Sequence, residues 1–235
     1  MVVNQISLNS SAIVRALGGV ALLLVLISVG GQLLAYRTGP YFYKFVRLFH
    51  VDGERNVPTG FAVFLLLFAA LLLAVITVIK RQQTDSQVMY WAILSCGFLL
   101  MAADEAWTFH EELIPPLRRL LGGEHLGVFY FAWVLPGSVL VLVLALFFSG
   151  FLMRLPAKTR FTFLMAAMLY IGGAIGLELI GGRFVELHGP DHFRYTMIVA
   201  VEESLEMAGA ILFIRALLGY IADHYQVVRF YFSAV

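Results

Sequence analysis

Residues 59–80 read TGFAVFLLLFAALLLAVITVIK, and from Phe61 to Ile79 no residue carries a charge. About 20 consecutive apolar residues in helical form cross the hydrocarbon of a bilayer. The stretch therefore reads as a membrane-spanning helix. Five further runs share its character, at roughly 12–36, 88–113, 127–152, 161–183 and 194–221. The whole composition agrees: 61% of the 235 residues are hydrophobic, only 13% are charged, and the mean hydropathy is +0.88. Soluble domains are about a quarter charged, and one soluble core of this size could not hide so many apolar side chains. The connections are mostly short. The expected fold is all-α: a polytopic membrane protein forming one domain over 1–235, an up-and-down bundle of six transmembrane helices. The first run is too long for the apolar region of a signal peptide and lacks a small-x-small cleavage site, so it reads as a retained helix.

A net charge of +1 gives no field that would draw nucleic acid. The single cysteine, Cys96, excludes an intrachain disulfide, a cysteine-ligated zinc site or an iron–sulfur cluster. Inside an apolar run it is expected to be a small core residue. The longest connection, the first, contains Phe42, Phe45, Val46 and Phe49 at helical spacing, with Lys44 and Arg47 on another side. That predicts a short interfacial helix after helix 1, with a lid over a site as the alternative.

Six spans put both termini on one side of the membrane. The two short loops on that side carry Lys80, Arg81, Arg154, Lys158 and Arg160 and little acid, so the positive-inside rule expects cytoplasmic termini. Histidine and acid gather toward the opposite, far side: His50, His110, His125, His188 and His192, with Glu111, Glu112, Glu124, Glu186 and Asp191.

Three helices carry acids within their apolar spans. Helix 3 has Asp104 and Glu105, helix 5 has Glu178, and helix 6 has Glu202, Glu203 and Glu206. A helix rises about 1.5 Å per residue, and helices 3 and 5 run toward the far side while helix 6 runs away from it. On that arithmetic all six acids reach a similar level in the far half of the membrane. Chance would scatter them. At about 100° per residue Glu202, Glu203 and Glu206 share one face. Asp104, Thr108 and Glu111 share another if helix 3 stays regular, and His110 then points more than about 100° away. Only a helix that ends before Pro115 and Pro116 would change that.

A charged side chain at mid-membrane costs about 2.5–3.5 kcal/mol on insertion scales, so the six acids are expected to face the bundle interior. There they are neutralised by protons or by a cation. His110 and Glu111 would sit at the mouth. Carboxylates suit a hard divalent metal ion, and mixed carboxylate–imidazole sets suit iron, zinc or manganese. The paired Glu-x-x-His signature of di-iron bundles is absent: Thr108 follows Glu105 by three, and Glu206 follows Glu203. So is His-Glu-x-x-His. No lysine lies mid-helix for a retinal Schiff base. Three readings stand: a metal-dependent membrane enzyme, a transporter-like proton or cation path, and an accessory subunit whose acidic core is a packing network joined to Arg183, Arg194 or Arg215. Gly172, Gly173 and Gly176 are expected to let a neighbouring helix approach. Pro136 is expected to kink helix 4 at the level of the acids. Trp107 and Trp133 are candidates to line the pocket. The partners expected are the lipid bilayer and, as an open question, further copies of the chain.

Asp104-Glu105 and His110-Glu111 on one helix, followed by VEESLEMAGAILFIRALLGYI with its Glu-Glu-x-x-Glu-x-x-Gly spacing, resemble a group of uncharacterised bacterial six-span membrane proteins. The resemblance covers helix 3 through helix 6. It implies a bacterial cytoplasmic membrane and brings no activity with it.

Overall fold

A computed structural model describes residues 9–38, 43–51, 53, 55–123 and 125–225. Of the residues named above, Phe42 and Glu124 lie outside these, as do the side chains of Lys44 and Phe45.

All regular structure among the described residues is helical. The order is α1 (Ser10–Thr38), α2 (Tyr43–Phe49), α3 (Val57–Gln82), α4 (Val88–Trp107), α5 (Phe109–Glu112), α6 (Ile114–Leu120), α7 (Val134–Arg154), α8 (Ala157–Ile171), α9 (Glu178–His188) and α10 (Phe193–His224). A short 3₁₀ turn at Gly127–Phe129 precedes α7, and a π-helical segment at Gly172–Leu177 joins α8 to α9 in one continuous rod. Six helices are long and apolar enough to cross a membrane: α1, α3, α4, α7, the α8–α9 rod and α10. Leucines such as Leu22, Leu26, Leu71, Leu100 and Leu146 point outward and are exposed. An apolar exterior around an acidic interior fits a multi-pass membrane protein.

The helix α10 is the most enclosed of the six and packs on α1, α3, α8 and the π segment. The core lies toward the side of the termini. There Leu73, Ile76, Trp91, Phe151, Ile214 and Leu217 are wholly or almost wholly buried. Local chemistry sets the element ends. Asn56 caps α3, its side chain accepting from Thr59 N at 3.1 Å, and Pro58 occupies the first turn, where no ladder bond is lost. In α2, Val46 is buried and sits beside Gly31 of α1, so this short helix is tied to the bundle.

Several expectations are corrected. Helix 3 stops at Trp107, not near 113. Continued as one helix through Pro115 and Pro116, it would lose two ladder bonds and drive both rings against the preceding turn; the chain instead restarts at Ile114 with the prolines in a first turn. Helix 4 begins at Val134, which puts Pro136 in its first turn. No ladder bond exists there to break, so Pro136 helps start α7 and has no interior helix to kink. Cys96 is exposed on α4. In a membrane bundle an apolar residue is as well placed facing lipid as facing the core, so hydropathy alone does not bury it. Of the three glycines, only Gly173 meets a neighbour; Gly172 and Gly176 have open space where a Cβ would go.

Candidate functional site

The break after Trp107 builds the mouth of the site. Thr108 adopts the left-handed conformation (φ 52°, ψ 42°) and its N–H still bonds to the Asp104 carbonyl at 2.6 Å. The chain then turns back, and α5 starts one residue later. Both Asp104 carboxylate oxygens are used: Oδ1 accepts from the His110 backbone N–H at 2.9 Å, and Oδ2 lies 2.7 Å from His110 Nδ1. A carboxylate only accepts, so Nδ1 carries the hydrogen between them. His110 therefore joins the acids, correcting the regular-helix expectation that it faces elsewhere. Burial alone would lower the affinity of the His110 imidazole for a proton. The Asp104 bond, helped by the charges of Asp104, Glu111 and Glu178, reverses this and holds its pKa above the ordinary value.

Trp133 sits 4.7 Å from the His110 ring, centroid to centroid, and its Nε1 donates to Glu178 Oε1 at 2.9 Å. Gly137, one turn on, leaves the space that the indole fills: a Cβ there would lie 2.9 Å from the ring. Trp107, the other candidate, is exposed and stacks on Phe109.

Glu178 follows the π segment, whose wider turn shifts the phase of what comes after it. It is in side-chain hydrogen-bond contact with Glu202 of α10. Two ionised carboxylates offer only acceptors, so neither can donate to the other. Below it, Glu206 reaches the Tyr170 hydroxyl of α8. The rod and α10 come this close because of Gly173: a Cβ there would stand 2.8 Å from the Glu202 carbonyl oxygen and 2.9 Å from Glu206 Cγ. Gly209 does the same one turn deeper, against the Tyr170 backbone N at 2.7 Å. A water-sized void of about 10 Å³ is walled by Glu105, Tyr170, Glu203 and Glu206.

Asp104, Glu105, Glu178, Glu202, Glu203 and Glu206, with His110 and Glu111, all line one cavity of about 880 Å³. Arg183, Arg194 and Arg215 are exposed, and no ion pair among the described residues joins them to these acids. Among the described residues no three His, Cys, Asp or Glu side chains converge in a geometry that would hold a metal ion. Two participants escape sequence reading. Tyr170 is one of several aromatics in an apolar helix, its only signal a position two turns before Glu178. Thr108 signals nothing, because its backbone matters more than its type.

A family model described as a domain of unknown function, DUF8692, matches residues 16–221. The chain belongs to the DUF8692 family. No match is found among curated proteins or among solved structures. The matched region holds all six spanning helices almost entire, and with them every residue of the acidic cavity.

Proposed function

We propose that this DUF8692 protein is an intramembrane acid–base centre, whose buried carboxyls hold protons and exchange them with the far side through the His110–Asp104 pair. The observation that carries the reading is the contact between Glu178 and Glu202. Carboxyls on two separate helices meet in an apolar bundle, with no arginine paired to them among the described residues, and a shared proton is the simplest neutraliser. The other acids with described partners are turned to hydrogen-bond donors as well: Asp104 to His110, Glu178 to Trp133, Glu206 to Tyr170. This supports protons over a divalent metal as the bound cation. A general acid or base needs such a poised group within reach of a bound molecule, and these carboxyls line a cavity large enough for one. A bacterial cytoplasmic membrane with cytoplasmic termini belongs to the same proposal, supported by the basic short loops around Lys80–Arg81 and Arg154–Arg160.

Infrared difference spectroscopy on the protein in lipid tests it. A protonated-carboxyl carbonyl band is expected at neutral pH, reduced in Glu202→Gln. Absence of that band, together with a stoichiometric divalent metal by elemental analysis, would replace the proton reading with a metal centre.

A further inference from the structure

We infer that the cavity binds a long-chain amphiphile whose head is a hydrogen-bond donor without negative charge, an amine or a hydroxyl, and that the chain reaches it sideways between α4 and α7. The inference deepens the acid–base reading by naming what the centre acts on, and it rests on that reading only for the head.

The cavity has two unlike parts. At the far-side end lie the carboxyls, His110 and the Trp133 indole. From there it continues deep between α4, α7 and α8 along an apolar wall. On α4 the face that carries Asp104 also carries Met101, Gly97 and Ile93, at helical steps of three and four residues. From Asp104 to Ile93 is about 16 Å of helix, close to the depth of one leaflet of a hydrocarbon core about 30 Å thick. Phe148 and Phe151 of α7, ringed with Tyr90 of α4, close the deep end. A polar molecule would leave this arm unused, and a pure hydrocarbon would leave the carboxyls unsolvated. An amphiphile uses both.

The wall is open on the lipid side. Ile93, Leu140, Leu144 and Leu164 line the cavity and are at the same time exposed, Leu140 at 58%. Small residues widen the arm: Gly97 lines it with nothing within 4 Å of where its Cβ would stand, and Ala145 of α7 lines it too. Charge selects the head. Seven carboxyls line the cavity and no lysine or arginine does, among the described residues. A phosphate would meet like charge, and the His110 imidazole in the lining is already paired with Asp104. A hydroxyl or an ammonium would find carboxyl oxygens to donate to.

The test uses the full chain in nanodiscs of zwitterionic lipid. Three photoactivatable probes share one long alkyl chain with a diazirine in it and differ only in the head: primary amine, hydroxyl or phosphate monoester. The amine and hydroxyl probes are expected to label peptides around Gly97–Met101 and Leu144–Phe148, with the phosphate probe at least about ten-fold weaker, as repulsion between like charges in a low-dielectric site requires. Gly97→Phe and Ala145→Phe, which fill the arm, are expected to remove that labelling while the carboxyl infrared band stays in place as proof of fold. Asp104→Asn should weaken the amine probe more than the hydroxyl probe. Equal labelling by all three heads overturns the head assignment. Labelling unmoved by both filling variants overturns the cavity. No labelling of the wild-type protein by any probe, with its carboxyl band present, sinks this inference and leaves the acid–base reading standing; head-selective labelling of a wild-type protein without that band does the reverse.

Discussion

The His110 imidazole lies 2.7 Å from the Asp104 carboxylate because the helix that carries Asp104 stops at Trp107. Had α4 run on, the two side chains would have pointed to different sides of it. The pair is thus a product of one backbone residue, Thr108, held at φ 52°. A β-branched residue in that region costs about 1–3 kcal/mol. Thr108→Gly should therefore match or exceed the wild-type melting temperature and keep the His110–Asp104 bond, whereas Thr108→Pro, unable to reach a positive φ, should lose both. Thermal unfolding in lipid, followed by tryptophan emission, reads the outcome. A large loss in Thr108→Gly would mean that the hydroxyl, and not the turn, matters.

Much of this architecture is legible in the sequence. Hydrocarbon about 30 Å thick forces spans of about 20 apolar residues, so six spans follow from composition. The level of the acids follows from the constant rise of a helix. Phase did not survive. It depends on a side-chain-to-backbone bond, Asp104 Oδ1 to His110 N, that competes with the helical ladder and leaves no mark in hydropathy. Phase changes again at the π segment before Glu178. Cys96 shows the other limit: an apolar neighbourhood does not distinguish a lipid-facing position from a core one. What the acids do lies beyond both sequence and fold, since each can serve many functions.

The raised proton affinity of His110 sets a direction for pH. Its folded-state pKa stands above 6.5, so the folded protein holds the imidazolium more tightly than the unfolded chain does. The stability this supplies is fully present below pH 6.5 and is lost as pH rises through the raised value. Groups acting on the ring are Asp104 and Glu105 from α4, Glu111 from α5, Glu178 from α9 and Glu206 from α10, with the Trp133 indole packed beside it. The melting temperature should fall over that rise in the wild type and be flatter in His110→Gln. An identical pH profile in the two proteins would detach His110 from the acidic centre.

Neutralising an acid and deleting it should differ sharply at Glu202. Glu202→Gln keeps the volume and a donor for Glu178, so stability should hold or rise. Glu202→Ala leaves a hole and removes one of the two partners of Glu178, the Trp133 indole remaining, and a loss of about 1–3 kcal/mol is expected. Chemical unfolding of both variants decides it. Equal losses would mean that the Glu202 charge, not its hydrogen bond, holds the helices together, and would favour a packing network over an acid–base centre.

Gly173 offers the most direct control on the whole arrangement. A methyl group there would stand 2.8 Å from a backbone oxygen of α10, which cannot swing away as a side-chain tip could. Gly173→Ala must push the π segment and α10 apart at the turn that carries Glu202 and Glu206. Overpacking of this kind costs about 1–3 kcal/mol, and here it should also separate Glu202 from Glu178 and Glu206 from Tyr170. Gly176→Ala, three residues on in the same segment, meets nothing within 4 Å and should leave stability and the carboxyl infrared band as they are. The paired measurement separates backbone flexibility from close approach. Both glycines lie in the π segment, so a general need for glycine there would damage both variants, whereas contact at the acids would damage Gly173→Ala alone.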